Sequence, residues 1–93
     1  MVAVLVEIDL RGVEPDAALT ELREQIIPAF KSLPGFESGT WLSGDGGGKS
    51  LSLTLWDTEA HAQAMIHQFG LGSNHLMSAS IVRAEVHEVA ATA

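Results

Sequence analysis

Residues 2–10, VAVLVEIDL, alternate along an extended chain. Val2, Val4, Val6, Ile8 and Leu10 fall on one side, and Ala3, Leu5, Glu7 and Asp9 on the other. A period of two in β-branched residues predicts a strand with its valine side buried. RGVEPD interrupts it, and Pro15 suits the first turn of a helix, where its missing N–H has no partner to lose. From Asp16 to Leu33 the spacing becomes three and four: Leu19, Leu22, Ile26, Ala29, Phe30 and Leu33 form one helical stripe. Pro28 inside this stripe predicts a bend in the last turn, and Pro34-Gly35 ends the helix.

Two strand-like runs follow at residues 36–43 and 49–56, joined by GDGGG, whose glycines supply the positive φ angles of a hairpin loop. Gly48-Lys49-Ser50 leads into a strand and not a helix, so it does not form a phosphate-binding loop. Asp57 is placed to cap a second helix with Ala62, Met65, Ile66 and Phe69 as its stripe and Gly70 at its end. LGSNHLMS is a connector. A final strand runs from Ala79 to Val89, with Val82, Ala84 and Val86 on its apolar side and Ile81, Arg83, Glu85 and His87 on the other. The order β-α-β-β-α-β is the ferredoxin-like α+β arrangement, an antiparallel sheet with both helices on one face. Its 93 residues make a single domain, 1–93.

If Phe36 and Leu42 face the helices, and Leu51, Leu53 and Leu55 do so on the third strand, the opposite face collects the remainder. It then carries Leu5, Glu7, Asp9, Trp41, Ser50, Ser52, Thr54, Trp56 and the Ile81–His87 series. Two indoles argue against an open surface, because each buries about 150–250 Å² when covered. Glu7, Arg83, Glu85 and His87 argue against a dry core unless they pair. A second copy laid across this face reconciles the two, giving a homodimer that encloses a pocket.

Twelve acidic residues against five basic ones, a net charge of −7, exclude a nucleic-acid partner and an anionic membrane surface, since both need a basic patch. No apolar run reaches the length of a membrane span, and the first residues lack the charged start of a signal peptide. With no cysteine there is no thiol nucleophile or thiolate metal site, and a cytoplasmic home is expected.

The element order, LPGF at the start of strand two and LTLWDTEAHAQAM from strand three into helix two resemble the dimeric α+β barrel superfamily. Within it the chain is similar to antibiotic biosynthesis monooxygenase domains. The resemblance implies a homodimer and, among its activities, cofactor-independent oxygenation of aromatic hydroquinone-like molecules. Quinone-forming members use an asparagine four residues before a strand-three tryptophan; here the pair is Ser52 and Trp56. Haem-degrading members place an asparagine on strand one and a tryptophan in helix two. Here those positions hold Glu7 or Asp9 and Met65, with only His75 matching in the connector, so no haem is implied.

The expected site therefore binds a small, phenol-like aromatic molecule and needs no cofactor or metal. Trp56 either stacks on the ring or fills the barrel end, and Trp41 packs an interface. His87 or His75 would accept the phenolic proton, unless His87 is paired with Glu85 or Glu7. Arg83 would hold the developing oxyanion or pair with Glu7 or Asp9. His61 and His67, six residues apart, do not make a helical metal pair. The alternative is a non-catalytic domain that binds a ligand or only dimerises.

Overall fold

The computed structural model describes residues 1–44, 48–69 and 80–93. Strands β1 (Val2–Asp9), β2 (Phe36–Gly44), β3 (Lys49–Trp56) and β4 (Ser80–Glu88) form one sheet in the order β2-β3-β1-β4, with every neighbouring pair antiparallel. The helices α1 (Pro15–Glu21), α2 (Ile27–Lys31) and α3 (Glu59–Phe69) lie on one face, the core joining Val4 of β1, Phe30 of α2, Trp56 of β3, and Ala62 and Met65 of α3. This is the ferredoxin-like α+β fold that the element order predicts.

The first helix starts as its chemistry dictates. Pro15 occupies the first turn, and the Glu14 carboxylate accepts from the N–H groups of Asp16 (3.2 Å) and Ala17 (2.8 Å). Its middle departs from a simple bend. Leu22–Ile26 widen to a π-helical turn, in which the Ile27 N–H reaches the Leu22 carbonyl, and α2 resumes behind it with Pro28 in its first turn. Pro28 has no N–H to donate and its ring crowds the preceding turn, so a widened turn accommodates it without breaking the helix. The effect of Pro28 therefore falls before it, where the helix passes over the sheet, and not after it.

The second helix is capped one residue later than the sequence suggests. Thr58, immediately before Glu59, is the N-cap, and its Oγ1 accepts from the His61 N–H at 3.2 Å. Asp57 is engaged elsewhere. Its N–H donates to the Gly35 carbonyl (2.9 Å), and its carboxylate lies 2.6 Å from His61 Nδ1. Gly35, at φ +82°, takes a conformation that side chains disfavour, and a Cβ there would collide with both Asp57 and His61.

The largest correction concerns which side of the sheet is the core. Ser52 (5% exposed), Thr54 (1%) and Trp56 (0%) face the helices, while Leu53 is 44% exposed. The registers make the reason plain. Val2 pairs with Trp56, Val4 with Thr54 and Val6 with Ser52, so the buried valine side of β1 extends onto the serine-threonine side of β3. Leu5 pairs with Leu53 and Glu7 with Leu51, which puts the leucines on the open face. Strand three held two candidate faces of opposite parity, and a slip of one residue exchanges them. One Trp outweighs the leucines here, because the indole and its N–H are satisfied only inside: Trp56 Nε1 donates to Thr54 Oγ1 at 2.9 Å.

Two irregularities complete the reassignment. On β2 the register shifts between Phe36 and Ser38, leaving Glu37 as an extra residue. Phe36 and Trp41, of opposite parity, thereby both pack against the core, while Leu42 is 54% exposed. On β4 the shift opposite Glu7/Ile8 sets Ile81 against the buried Ile8 and leaves Val82, expected inside, 50% exposed. Phe30 gathers the aromatic side chains, with ring centroids 6.2 Å from Phe36, 5.8 Å from Trp41 and 6.2 Å from Trp56.

Candidate functional site

At the β1 C-terminal end of the sheet a pocket of about 140 Å³ lies between the helix face and α1. Ile8 and Leu10 form its wall along β1, and Val13 in the following turn closes one end. Ala18, Leu19 and Leu22 form its roof, the last of these in the widened π turn. Trp41 on β2 makes the inner wall. Ser43 and Ser50, directly opposite each other across β2 and β3, bring two hydroxyls to an otherwise apolar surface. None of the described lining residues carries a charge. Such a site suits a compact, uncharged ligand with one hydrogen-bonding group, because an ion would lose its hydration with no counter-charge to meet it.

The residues expected to form one site occur in three places. Trp56 and Ser52 are buried in the core, and Trp41 is half-buried between that core and the pocket. Glu7, Arg83 and His87 stand on the other face of the sheet. His75 lies outside the described residues. A four-stranded sheet therefore separates the indoles from Arg83 and His87 within one chain, and the residues expected together on the open face are divided between its two faces.

On the open face the ionisable groups satisfy one another. Arg83 Nη2 lies 3.5 Å from Glu7 Oε1, Lys49 Nζ lies 3.8 Å from Glu7 Oε2, and His87 Nε2 lies 3.0 Å from Glu85 Oε1. The His87 contact, with Arg83 adding its charge, lowers the Glu85 pKa below the usual carboxylate range. At the rim Arg11 grips Asp9, with Nη2–Oδ2 at 2.6 Å, and this hydrogen bonding lowers Asp9 to about 2. The pairing alternatives weighed for His87 and Arg83 are thus the contacts observed.

Sequence reading missed the pocket because its walls come from segments treated separately: a strand end, a turn and a helix stripe. Leu19 and Leu22 were visible only as core candidates. It also missed the Asp57–His61 pair, although the signal was present in a spacing of four across a helix start. His61 is the first cause of a lowered Asp57 pKa. Among the described residues no cluster of three metal-ligating side chains occurs, and no helix is long and apolar enough to cross a membrane.

No family model and no curated protein matches the chain. Solved structures do. HapK from Hahella chejuensis superposes at a TM-score of 0.69 with 12% identity, over 100% of this chain and 96% of that one. A protein assigned as an antibiotic biosynthesis monooxygenase from Deinococcus radiodurans gives 0.66 and 14%, over 100% and 96%. A monooxygenase from the gene ActVA-Orf6 of Streptomyces coelicolor, in complex with nanaomycin D, gives 0.59 and 16%, over 99% and 89%. At these identities the likeness is one of fold, spanning the whole chain.

Proposed function

We propose, from a fold like that of the antibiotic-biosynthesis-monooxygenase structures of the dimeric α+β barrel superfamily, that the protein binds a small, uncharged, phenol-like aromatic molecule. The observation that carries this reading is the pocket between α1 and the sheet, with its Trp41 wall and paired Ser43 and Ser50 hydroxyls. The ring would lie against the indole and the aliphatic roof, and its hydroxyl would exchange hydrogen bonds with the serines.

The same reading makes the protein a homodimer. The open face exposes Leu42 and Leu53, beside Leu5, Leu51 and Leu55. It is also electrically balanced, although the chain as a whole carries −7. Glu7, Asp9 and Glu85 are matched there by Lys49, Arg11 and Arg83, three of the five basic residues of the chain. Two copies of an acidic protein repel each other over most orientations, and this is a patch on which they can meet without like-charge cost.

Cofactor-independent oxygenation is the second reading, favoured by the likeness to the S. coelicolor monooxygenase. It requires a proton acceptor near the ring, and the described lining offers serines alone. Arg83 and His87 would have to act from the far face, in a site completed by the second copy, and Ser52 and Trp56 would act only as support from the core. Binding is therefore placed ahead of catalysis.

Both readings are tested with hydroquinone, by equilibrium dialysis and an oxygen electrode, on wild-type protein and on Ala18→Trp, which fills the pocket. Retention by the wild type that is lost in Ala18→Trp, with oxygen consumed at the spontaneous rate, is the expected result. Retention that survives the filled pocket sinks the binding site. Oxygen uptake above the spontaneous rate that falls in Ala18→Trp would move the assignment to an oxygenase.

A further inference from the structure

Trp41 is the largest side chain lining the pocket, and its position depends on the residue beside it. The indole folds back along β2 over Gly39, two residues earlier on the same face. A Cβ at position 39 would lie 2.6 Å from Trp41 Cη2 and 2.7 Å from Cζ3. Gly39 shows no positive φ, so its missing side chain serves the close approach of the ring and not the backbone conformation.

The surroundings decide where a displaced ring would go. Toward β3 that same Cβ meets Thr54 Cγ2 at 3.3 Å. Thr54 is 1% exposed, and its hydroxyl holds the Trp56 indole N–H. Toward α2 the Trp41 ring already meets Phe30 edge-on, with centroids 5.8 Å apart and planes at 72°. Both directions are close-packed, and the pocket is the empty space that remains.

We infer that Gly39 is the specificity-determining residue of this pocket: by seating the Trp41 indole against the core it holds open a volume for one aromatic ring and no more. The inference rests on the binding reading above and narrows its ligand class. The pocket, at about 140 Å³, is close to the engineered apolar cavity of about 150 Å³ that accepts benzene. A single ring with a hydroxyl fits, and a fused tricyclic does not. Negatively charged rings are refused for a separate reason, the absence of any cation among the described lining residues. The ligand is thus a monocyclic, uncharged phenol.

The test compares phenol, benzoate and anthrone by equilibrium dialysis against three proteins: wild type, Gly39→Ala and the double variant Gly39→Ala/Trp41→Phe. Thermal unfolding confirms that each is folded. Wild type retains phenol and rejects benzoate and anthrone. Gly39→Ala, with the indole pushed into the pocket, weakens phenol by about tenfold or more. The double variant regains phenol, because phenylalanine lacks the two indole atoms that meet the new methyl. Equal phenol binding in wild type and Gly39→Ala overturns the inference, as does loss without recovery in the double variant, or anthrone bound as well as phenol. Failure of the wild type to retain phenol has a different meaning: it removes the binding reading itself.

Discussion

The two faces of this sheet are built from the same four strands and obey opposite rules. The helix face buries two hydroxyls, Ser52 and Thr54, with an indole between Val4 and Phe30. The open face carries a column of leucines bordered by paired charges. The Thr54 hydroxyl goes inside at little cost because it finds a partner. Thr54 accepts from Trp56, and among the described residues no buried side-chain polar atom is left unpaired. Leucines remain outside where the helices cannot reach them. Polarity of residue type is therefore a poor guide to which side of a strand is core; the volume and hydrogen-bonding needs of the one large side chain settle it.

The strongest way to break the comparison is to remove the residue that decides it. Trp56→Ala vacates the centre of the core and takes the donor from Thr54, and we expect a loss of about 3–5 kcal/mol, read from chemical denaturation. If Trp56 sat on the open face, the same substitution would cost the protomer within about 0.5 kcal/mol, as surface changes do.

The complementary change is on the other side. Leu53→Lys places a charge in the leucine column. Its expected effect on the folded chain is small, and its expected effect on assembly is loss of the proposed dimer in favour of monomers in sedimentation velocity. A wild-type protein that sediments as a monomer at high concentration would refute the role given to the open face.

The smallest effect sharpens the comparison at its edge, where Asp57 and His61 fasten the end of β3 to the start of α3. The Asp57 pKa is lowered, first by its hydrogen bond with His61. Stability from this source is therefore present above the unfolded carboxylate value of 3.8, the value from which Asp9 is also displaced. It is lost as the pH falls through the lowered folded value. Wild type and Asp57→Asn should then differ in denaturation midpoint near neutrality, and the difference should shrink as the pH falls through the lowered Asp57 value. A difference that persists undiminished in acid would show that the pair acts through packing and not charge.

Much of the molecule was written locally. The valine alternation of β1, the stripe from Leu19 to Leu33, the hairpin strands and the Ala62–Met65 face each appear in the chain as a period of the kind its element needs, and together they dictate the β-α-β-β-α-β order. The contacts of Glu7 with Arg83 and of Glu85 with His87 were foreseeable as well, since acidic and basic side chains on one face of neighbouring positions need little else to meet. What only the tertiary structure decided is parity and adjacency. The extra residues at Glu37 and opposite Glu7/Ile8 change which side chains face the helices, and a bulge leaves no signature in a period of two except its violation. The pocket and the Gly39–Trp41 contact depend on a turn, a widened helix and two strands meeting in space. No local pattern encodes that meeting, because each segment was selected to satisfy its own backbone and only packing brings their leftover surfaces together.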